Sequence, residues 1–344
     1  MKINNTEIID TYAEAFSMWS AKVIITAEND YWAEGAARAM TGMATSVIGC
    51  KCEAGIDMKL TPEETPDGRP GYSILVFTMD KGSLGKRLIE RIGQCVMTCP
   101  TTACFSGYDS EDTVNVGGAL RYFGDGHQIG KKIQNKRYWR IPVFDGEFII
   151  HENFGVKESV GGGNFYILGD NVKECLDACY DAVKVMKRVE NVIMPFPKGV
   201  VRSGSKVGSK YKDLVASTNH IYCPTLKGVV KDSAVPESVH TCYEIVVDGA
   251  DEKAVAKAMK VGMHAAAKEG VIQITADGNP IIMLSDHGTV GGYPKIGVVA
   301  SADYDRLVQI APGSKIKFKE INLSDAETLF KLYEMETQNL LSQI

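Results

Sequence analysis

The stretch Cys242–Gly249, CYEIVVDG, sets a carboxyl group inside an apolar run. Strand alternation puts Cys242, Glu244, Val246 and Asp248 on one face, with Tyr243, Ile245 and Val247 on the other, more clearly apolar one. Glu244 then has two readings. It is a solvated side chain on a half-exposed strand, or it is an acid placed for chemistry. In the second case burial would raise its pKa until the group can donate a proton or a hydrogen bond.

A second chemical feature is the loop RSGSKVGSKYK, which places Arg202, Lys206, Lys210 and Lys212 among Gly204, Gly208, Ser203, Ser205 and Ser209. Glycines let backbone N–H groups approach an anion, and the lysines add charge. The spacing is not that of a Walker A loop, and an anion cradle and a flexible, solvated loop both fit it. In SVGGGNFYILGD, the glycines before Asn164 and Phe165 mark a close backbone approach or a bulge at a strand start. The Pro/Gly loop TPEETPDGRPGY carries Arg69.

Nine cysteines and six histidines are the remaining reactive groups. Cys50 and Cys52 are C-x-C, Cys95, Cys99 and Cys104 cluster, and Cys175 and Cys179 share one helix face. None repeats the paired C-x-x-C spacing of a zinc site, so small buried core residues are the expectation and no metal site is assigned. The histidines form no evident triad or ligand set. His127 and His240 are the ones near other candidate features.

These residues are carried by a repeated unit of strand, helix and strand. The copies run KVIITAEN to SVIGC, YSILVFTM to QCVMTC, NFYILGDN to VENVIMPF, and YEIVVDGA to GVIQITA. Their helices carry apolar residues at i, i+3, i+4 and i+7, as in Leu176, Cys179, Tyr180 and Val183, and start at Asn or Asp caps. Two units make one ferredoxin-like layer of helices on an antiparallel sheet. The expected fold is therefore α+β, with two ferredoxin-like lobes, 1–150 and 151–276, and a short appendage, 277–344. A parallel sheet also fits the repeat. Hairpin strands at RYWRIPV and GEFIIHE lie between the second and third units.

The composition, 44% hydrophobic and 24% charged, is that of a globular chain. A net charge of −5 offers no basic field for nucleic acid. No apolar run suits a bilayer, the polar N-terminus is not a signal peptide, and reduced thiols suggest the cytoplasm.

The motifs DTYAEAF, SVIGC, EAGID, ETPDGRPG, RIGQCVMTCPTTA, YFGDG, IPVFDGEFI, GGNFYI, PFPKG, SGSKVGSKY, STN and YEIVVDG occur in that order. Together they resemble the formylmethanofuran:tetrahydromethanopterin formyltransferases of archaeal one-carbon metabolism and methanogenesis. A bacterial homologue of that family belongs to a formyltransferase/hydrolase complex. The resemblance spans residues 1 to about 276. It implies formyl transfer to N5 of tetrahydromethanopterin, with methanofuran and tetrahydromethanopterin as carrier substrates and no prosthetic group or metal. It implies a proximal lobe, assigned to 1–150, and a distal lobe, assigned to 151–276, in a homotetrameric dimer of dimers in the cytoplasm. It assigns catalysis to Glu244 and makes Arg69, Asn164, Phe165, Ser205, Lys206 and Lys210 candidates for substrate binding. The carriers' carboxylates and phosphate suit the cationic members of that set.

From Asp277 the chain departs from that pattern. DHGTVGGYPKIG, SADYDRL and APGSKIKF resemble the C-terminal end of a 5-oxoprolinase component family, also described as biotin-dependent carboxyltransferase-like. Alternatives to an independent formyltransferase are a protein active only with hydrolase partners, a non-catalytic carrier-binding protein, and a fusion whose tail docks 5-oxoprolinase-type partners.

Overall fold

The computed structural model describes residues 15–267 throughout, together with 2–3, 6–9, 271–274, 280–283, 295–300, 302–303, 307, 309, 317 and 319–341. It has two compact units. The larger is Thr11–Ala266; the smaller combines Met1–Asp10 with Ala267–Ile344.

The first half of the larger unit runs β1 (Phe16–Thr26), α1 (Asp30–Thr41), β2 (Glu53–Leu60), β3 (Gly71–Thr78), α2 (Lys81–Arg91) and β4 (Ala103–Ser106). The sheet order is β4-β1-β3-β2, with every neighbour antiparallel. Asn29 and Asp80 cap the helices by accepting from the backbone N–H of Trp32 and Ser83. β3 is buried at all eight positions, which is why GYSILVFT lacks polar alternation. Ile74 and Val76 join the core with Leu84 and Leu88 of α2, whereas Leu75 and Phe77 pack with Ile193 of the second half. Beyond β4 the expected hairpin forms from β5 (Lys136–Val143) and β6 (Gly146–His151), with β6 parallel to β4.

The second half contains β7 (Asn153–Gly169), α3 (Val172–Met186), β8 (Val192–Ile193), the hairpin β9 (Ser205–Val207) and β10 (Ala216–Thr218), β11 (Thr241–Gly249) and α4 (Glu252–Ala266). Its order is β8-β11-β7, again antiparallel. β7 joins the halves: Val156–Gly161 pair with β1, and Gly163–Gly169 pair with β11. The register shifts between Val160 and Gly163. The glycine cluster is therefore a bulge, and it is also a close approach. A Cβ on Gly161 would collide with the Met18 sulfur, one on Gly163 would come within 2.6 Å of Val255 Cγ1, and Gly162 has φ +80°.

The helix repeat had the right period, but its buried face lies beside the expected one. In α3 the buried residues are Cys175, Cys179, Ala182, Val183 and Met186, while Leu176 and Tyr180 are exposed. The sheet covers a stripe that includes small residues, and so two larger side chains are left in solvent. In the smaller unit, β12 (Val271–Ile274) pairs with β13 (Pro280–Met283) and β14 (Lys295–Val298), and α5 spans Leu323–Leu341. β12 was expected to close the fourth repeat; it lies instead in this separate three-stranded sheet. The tail motifs DHGTVGGYPKIG, SADYDRL and APGSKIKF fall mostly outside the described residues. No helix among the described residues is long and apolar enough to cross a membrane.

Candidate active site

Glu244 sits mid-way along β11, directly opposite Tyr166 of β7. As the periodicity required, Ile245 and Val247 are fully buried in the core under α3 and α4. The Glu244 face is not left to water, however: the residue is only 8% exposed. The connector between β8 and β11 covers it. Val201 bridges to Glu244 through two backbone bonds, Val201 N–H to Glu244 O (2.8 Å) and Glu244 N–H to Val201 O (3.1 Å). The chain then turns at Gly204, where a Cβ would stand 2.8 Å from Glu244 Oε2. Only glycine lets the backbone lie this close to the carboxyl.

Three polar side chains complete the surroundings. Asn164 Nδ2 donates to Glu244 Oε1 at 2.7 Å. Asn219 Nδ2 donates to the Tyr166 hydroxyl at 3.3 Å. Tyr222 stacks on Tyr166, with centroids 4.2 Å apart and an interplanar angle of 15°. Glu244, Tyr166, Asn219 and Tyr222 line a recess of about 40 Å³, together with Arg202, Cys223 and Cys242. Burial, followed by the negative charge of Glu244, pushes the Tyr166 phenol above its ordinary range. Burial, again ahead of Glu244, pushes the Cys242 thiol up to about 12, so at neutral pH it is not a thiolate nucleophile.

The expected binding residues separate into distinct groups. Asn164 holds the Glu244 carboxyl but does not itself line the recess. Phe165 faces the opposite way and packs, partly buried, against the apolar core, where a Cβ on Gly262 would come within 3.3 Å of its ring. Ser205 and Lys206 are exposed on β9, paired with Thr218 and Ser217 of β10, and Lys210 is exposed beyond it. Arg69 binds within its own half: it donates to Asp67 Oδ2 (2.8 Å), Thr101 O (2.5 Å) and Thr26 Oγ1 (3.0 Å). Those contacts tie the Pro/Gly loop to β1, while 31% of the Arg69 side chain stays exposed. Tyr166, Asn219 and Tyr222 were not singled out from the sequence. Tyr166 was legible in part, because alternation puts it on the face of Asn164. The long-range stacking of Tyr222 leaves no local signal.

A larger groove of about 450 Å³ lies over α2, lined by residues including Lys81, Lys86, Glu90 and Asn115. None of the candidates lines it. The smaller recess is the better site, because it gathers an acid, an amide and a phenol around one point. Among the described residues, no three His, Cys, Asp or Glu side chains converge as metal ligands.

Residues 1–143 match the family model described as formylmethanofuran–tetrahydromethanopterin formyltransferase, and 146–280 match the one described as its proximal lobe. A formyltransferase of this name from Methylobacillus flagellatus is 56% identical over 284 residues, covering 80% of this chain and 94% of the relative. The chain belongs to this formyltransferase family. A Methanocaldococcus jannaschii member is 49% identical over 282 residues, covering 80% and 94% of the two chains. The crystal structure of the formyltransferase/hydrolase complex from Methylorubrum extorquens with methylofuran contains a chain of 46% identity and TM-score 0.75, with 77% and 88% coverage. The formyltransferase from Methanosarcina barkeri aligns at 45% identity and TM-score 0.73, with 77% and 90% coverage. The family's name "proximal lobe" thus goes with the second half, where the sequence expectation attached it to the first.

Proposed function

We propose that this protein transfers a formyl group from formylmethanofuran to N5 of tetrahydromethanopterin, with both carriers as substrates. The observation that carries this reading is 56% identity to a formyltransferase across 94% of that relative's length. The buried Glu244 carboxyl, beside its recess, supplies a chemistry for it. The N5 lone pair attacks the formyl carbon, forming the new C–N bond and sending the carbonyl π pair to oxygen. Protonated Glu244 donates a hydrogen bond to that oxyanion. On collapse the C=O bond re-forms and the donor's C–N bond breaks. Glu244 gives its proton to the departing nitrogen and takes the one N5 loses. No covalent enzyme intermediate is needed. Asn164 holds the carboxyl in place, and Ser205, Lys206 and Lys210 reach the carriers' anionic tails from the exposed hairpin.

The two halves read as ferredoxin-like lobes, 1–150 and 151–276, since the first has the β4-β1-β3-β2 order and the second begins the same pattern. We assign the protein to the cytoplasm and to a dimer of dimers. Assembly with hydrolase components is a second reading, because a 46% identical relative is named as one component of a formyltransferase/hydrolase complex. Residues 277–344 read as a fragment related to the 5-oxoprolinase component family, too small to carry that family's active site.

The test is to mix the purified protein with both carriers and follow 5-formyl-tetrahydromethanopterin, beside Glu244→Ala. The parent turns over, and the variant loses roughly 10³-fold or more in kcat, as expected for combined loss of an oxyanion donor and a proton shuttle. A variant as active as the parent would sink the role of Glu244.

A further inference from the structure

Tyr166 is the cross-strand partner of Glu244, so the phenol and the carboxyl leave adjacent strands on the same face. Its position is over-determined. The ring is stacked on Tyr222 at 4.2 Å. The hydroxyl oxygen accepts from Asn219 Nδ2 at 3.3 Å, and Asn219 is itself anchored by its backbone N–H to Gly204 O at 2.9 Å. Gly204 is the residue that lies against Glu244. A phenol oxygen that accepts from an amide keeps its own proton to give, and before substrate arrives that proton faces the Glu244 side chain. Burial above all keeps that proton on through neutral and mildly alkaline pH. The recess beside both groups is about 40 Å³, enough for one small polar group.

We propose that Tyr166 is a catalytic residue whose O–H, aimed by Asn219 and Tyr222, joins Glu244 in donating to the formyl oxygen as it becomes an oxyanion. This deepens the formyl-transfer reading and rests on it. Tyr166 only shares its proton: the hydrogen bond shortens as the carbonyl pair moves to oxygen and relaxes when C=O re-forms. Two donors around one oxygen make the acyl-transfer recess preorganised, because neither has to be recruited from water at the moment of attack. A purely structural Tyr166 would instead wall the recess, and the loss of its oxygen would leave kcat alone.

The experiment measures kcat and both KM values with formylmethanofuran and tetrahydromethanopterin for the parent and for Tyr166→Phe, which keeps the stacked ring. The variant is expected to lose roughly 10²-fold in kcat, the scale of one oxyanion donor. Its KM values stay within about threefold and its melting midpoint is unchanged, the pattern of an interaction made only in the transition state. A Tyr166→Phe variant with parental kcat overturns the inference. Should that variant not fold, 3-fluorotyrosine at position 166 decides. Fluorine acidifies the phenol and so changes the strength of its hydrogen bond to an oxyanion; kcat must change while both KM values hold, and an unchanged kcat overturns the inference. A parent that transfers no formyl group overturns the formyl-transfer reading and this inference together; an active parent with an unimpaired Tyr166→Phe variant overturns this inference alone.

Discussion

Glu244 of β11 and Asp57 of β2 are both strand carboxylates removed from water, at 8% and 5% exposure. Their surroundings differ. Asp57 is saturated: Lys22 Nζ lies 2.8 Å from Oδ2, Ser73 Oγ donates to Oδ2 at 3.0 Å, and the Asn191 backbone N–H donates to Oδ1 at 2.7 Å. Lys22 also donates to Asn191 Oδ1 at 2.7 Å, so the cluster stitches the second half onto the first. Glu244 takes the Asn164 amide and faces a recess. Burial therefore does not separate the proposed catalytic acid from a structural one. What separates them is whether hydrogen-bonding capacity remains, and whether space adjoins it.

The largest contrast comes from truncating each acid. Beside the activity loss predicted for Glu244→Ala, Asp57→Ala should do the reverse. It strands the largely buried Lys22 ammonium and lowers unfolding free energy by about 3–5 kcal/mol in denaturant titrations, with kcat per folded molecule retained. Equal loss of stability in both variants would break the comparison.

An intermediate effect tests the roof over Glu244. Gly204→Ala pushes a methyl group to within 2.8 Å of Oε2 unless the backbone shifts. We expect kcat to fall about tenfold or more, in line with the sensitivity of reacting geometry to displacements near 1 Å, with a small change in melting midpoint. Parental kcat would mean that the loop does not fix the carboxyl.

The smallest effect sharpens the comparison on one strand. Asp248 is fully buried on β11; Gly162 N–H donates to its Oδ1 at 3.0 Å, and the Glu53 carboxyl adjoins it. Burial, and then the negative charge of Glu53, raise its pKa well above the ordinary aspartate value of 3.8. A raised carboxyl pKa means that the folded state holds a proton the unfolded chain releases, so stability falls as pH rises above about 4. Asp248→Asn removes that dependence. It should leave stability near parental at pH 4 and raise it by about 1–3 kcal/mol at pH 8, the scale of a buried polar group's desolvation penalty. A variant less stable than the parent at pH 8 would show that Asp248 is a satisfied, ionised acid like Asp57.

Much of this was legible in the chain. The apolar run Ile74–Phe77 marked β3 as a strand, and Asn29, Asp80 and Asn171 marked helix starts. CYEIVVDG carried its own alternation. Arg69 and Phe165 were not legible. Where a loop arginine lies depends on partners such as Thr101, distant in sequence. Phe165 adjoins Asn164, but alternation turns it to the other face. In α3 the phase of the buried stripe depended on what the sheet offered, and that is information the helix does not contain.

Periodicity and capping are local properties of the backbone, and so the amino-acid order was enough to determine the repeat of strand, helix and strand, the family, and the face of β11 that carries Glu244. Tertiary packing alone decided that this face is closed. The connector lays Val201 and Gly204 along the outer edge of β11 and brings Asn219 and Tyr222 onto Tyr166. Those contacts join residues tens of positions apart, and a solvated glutamate becomes a buried acid beside a phenol only once the entropy cost of bringing them together has been met.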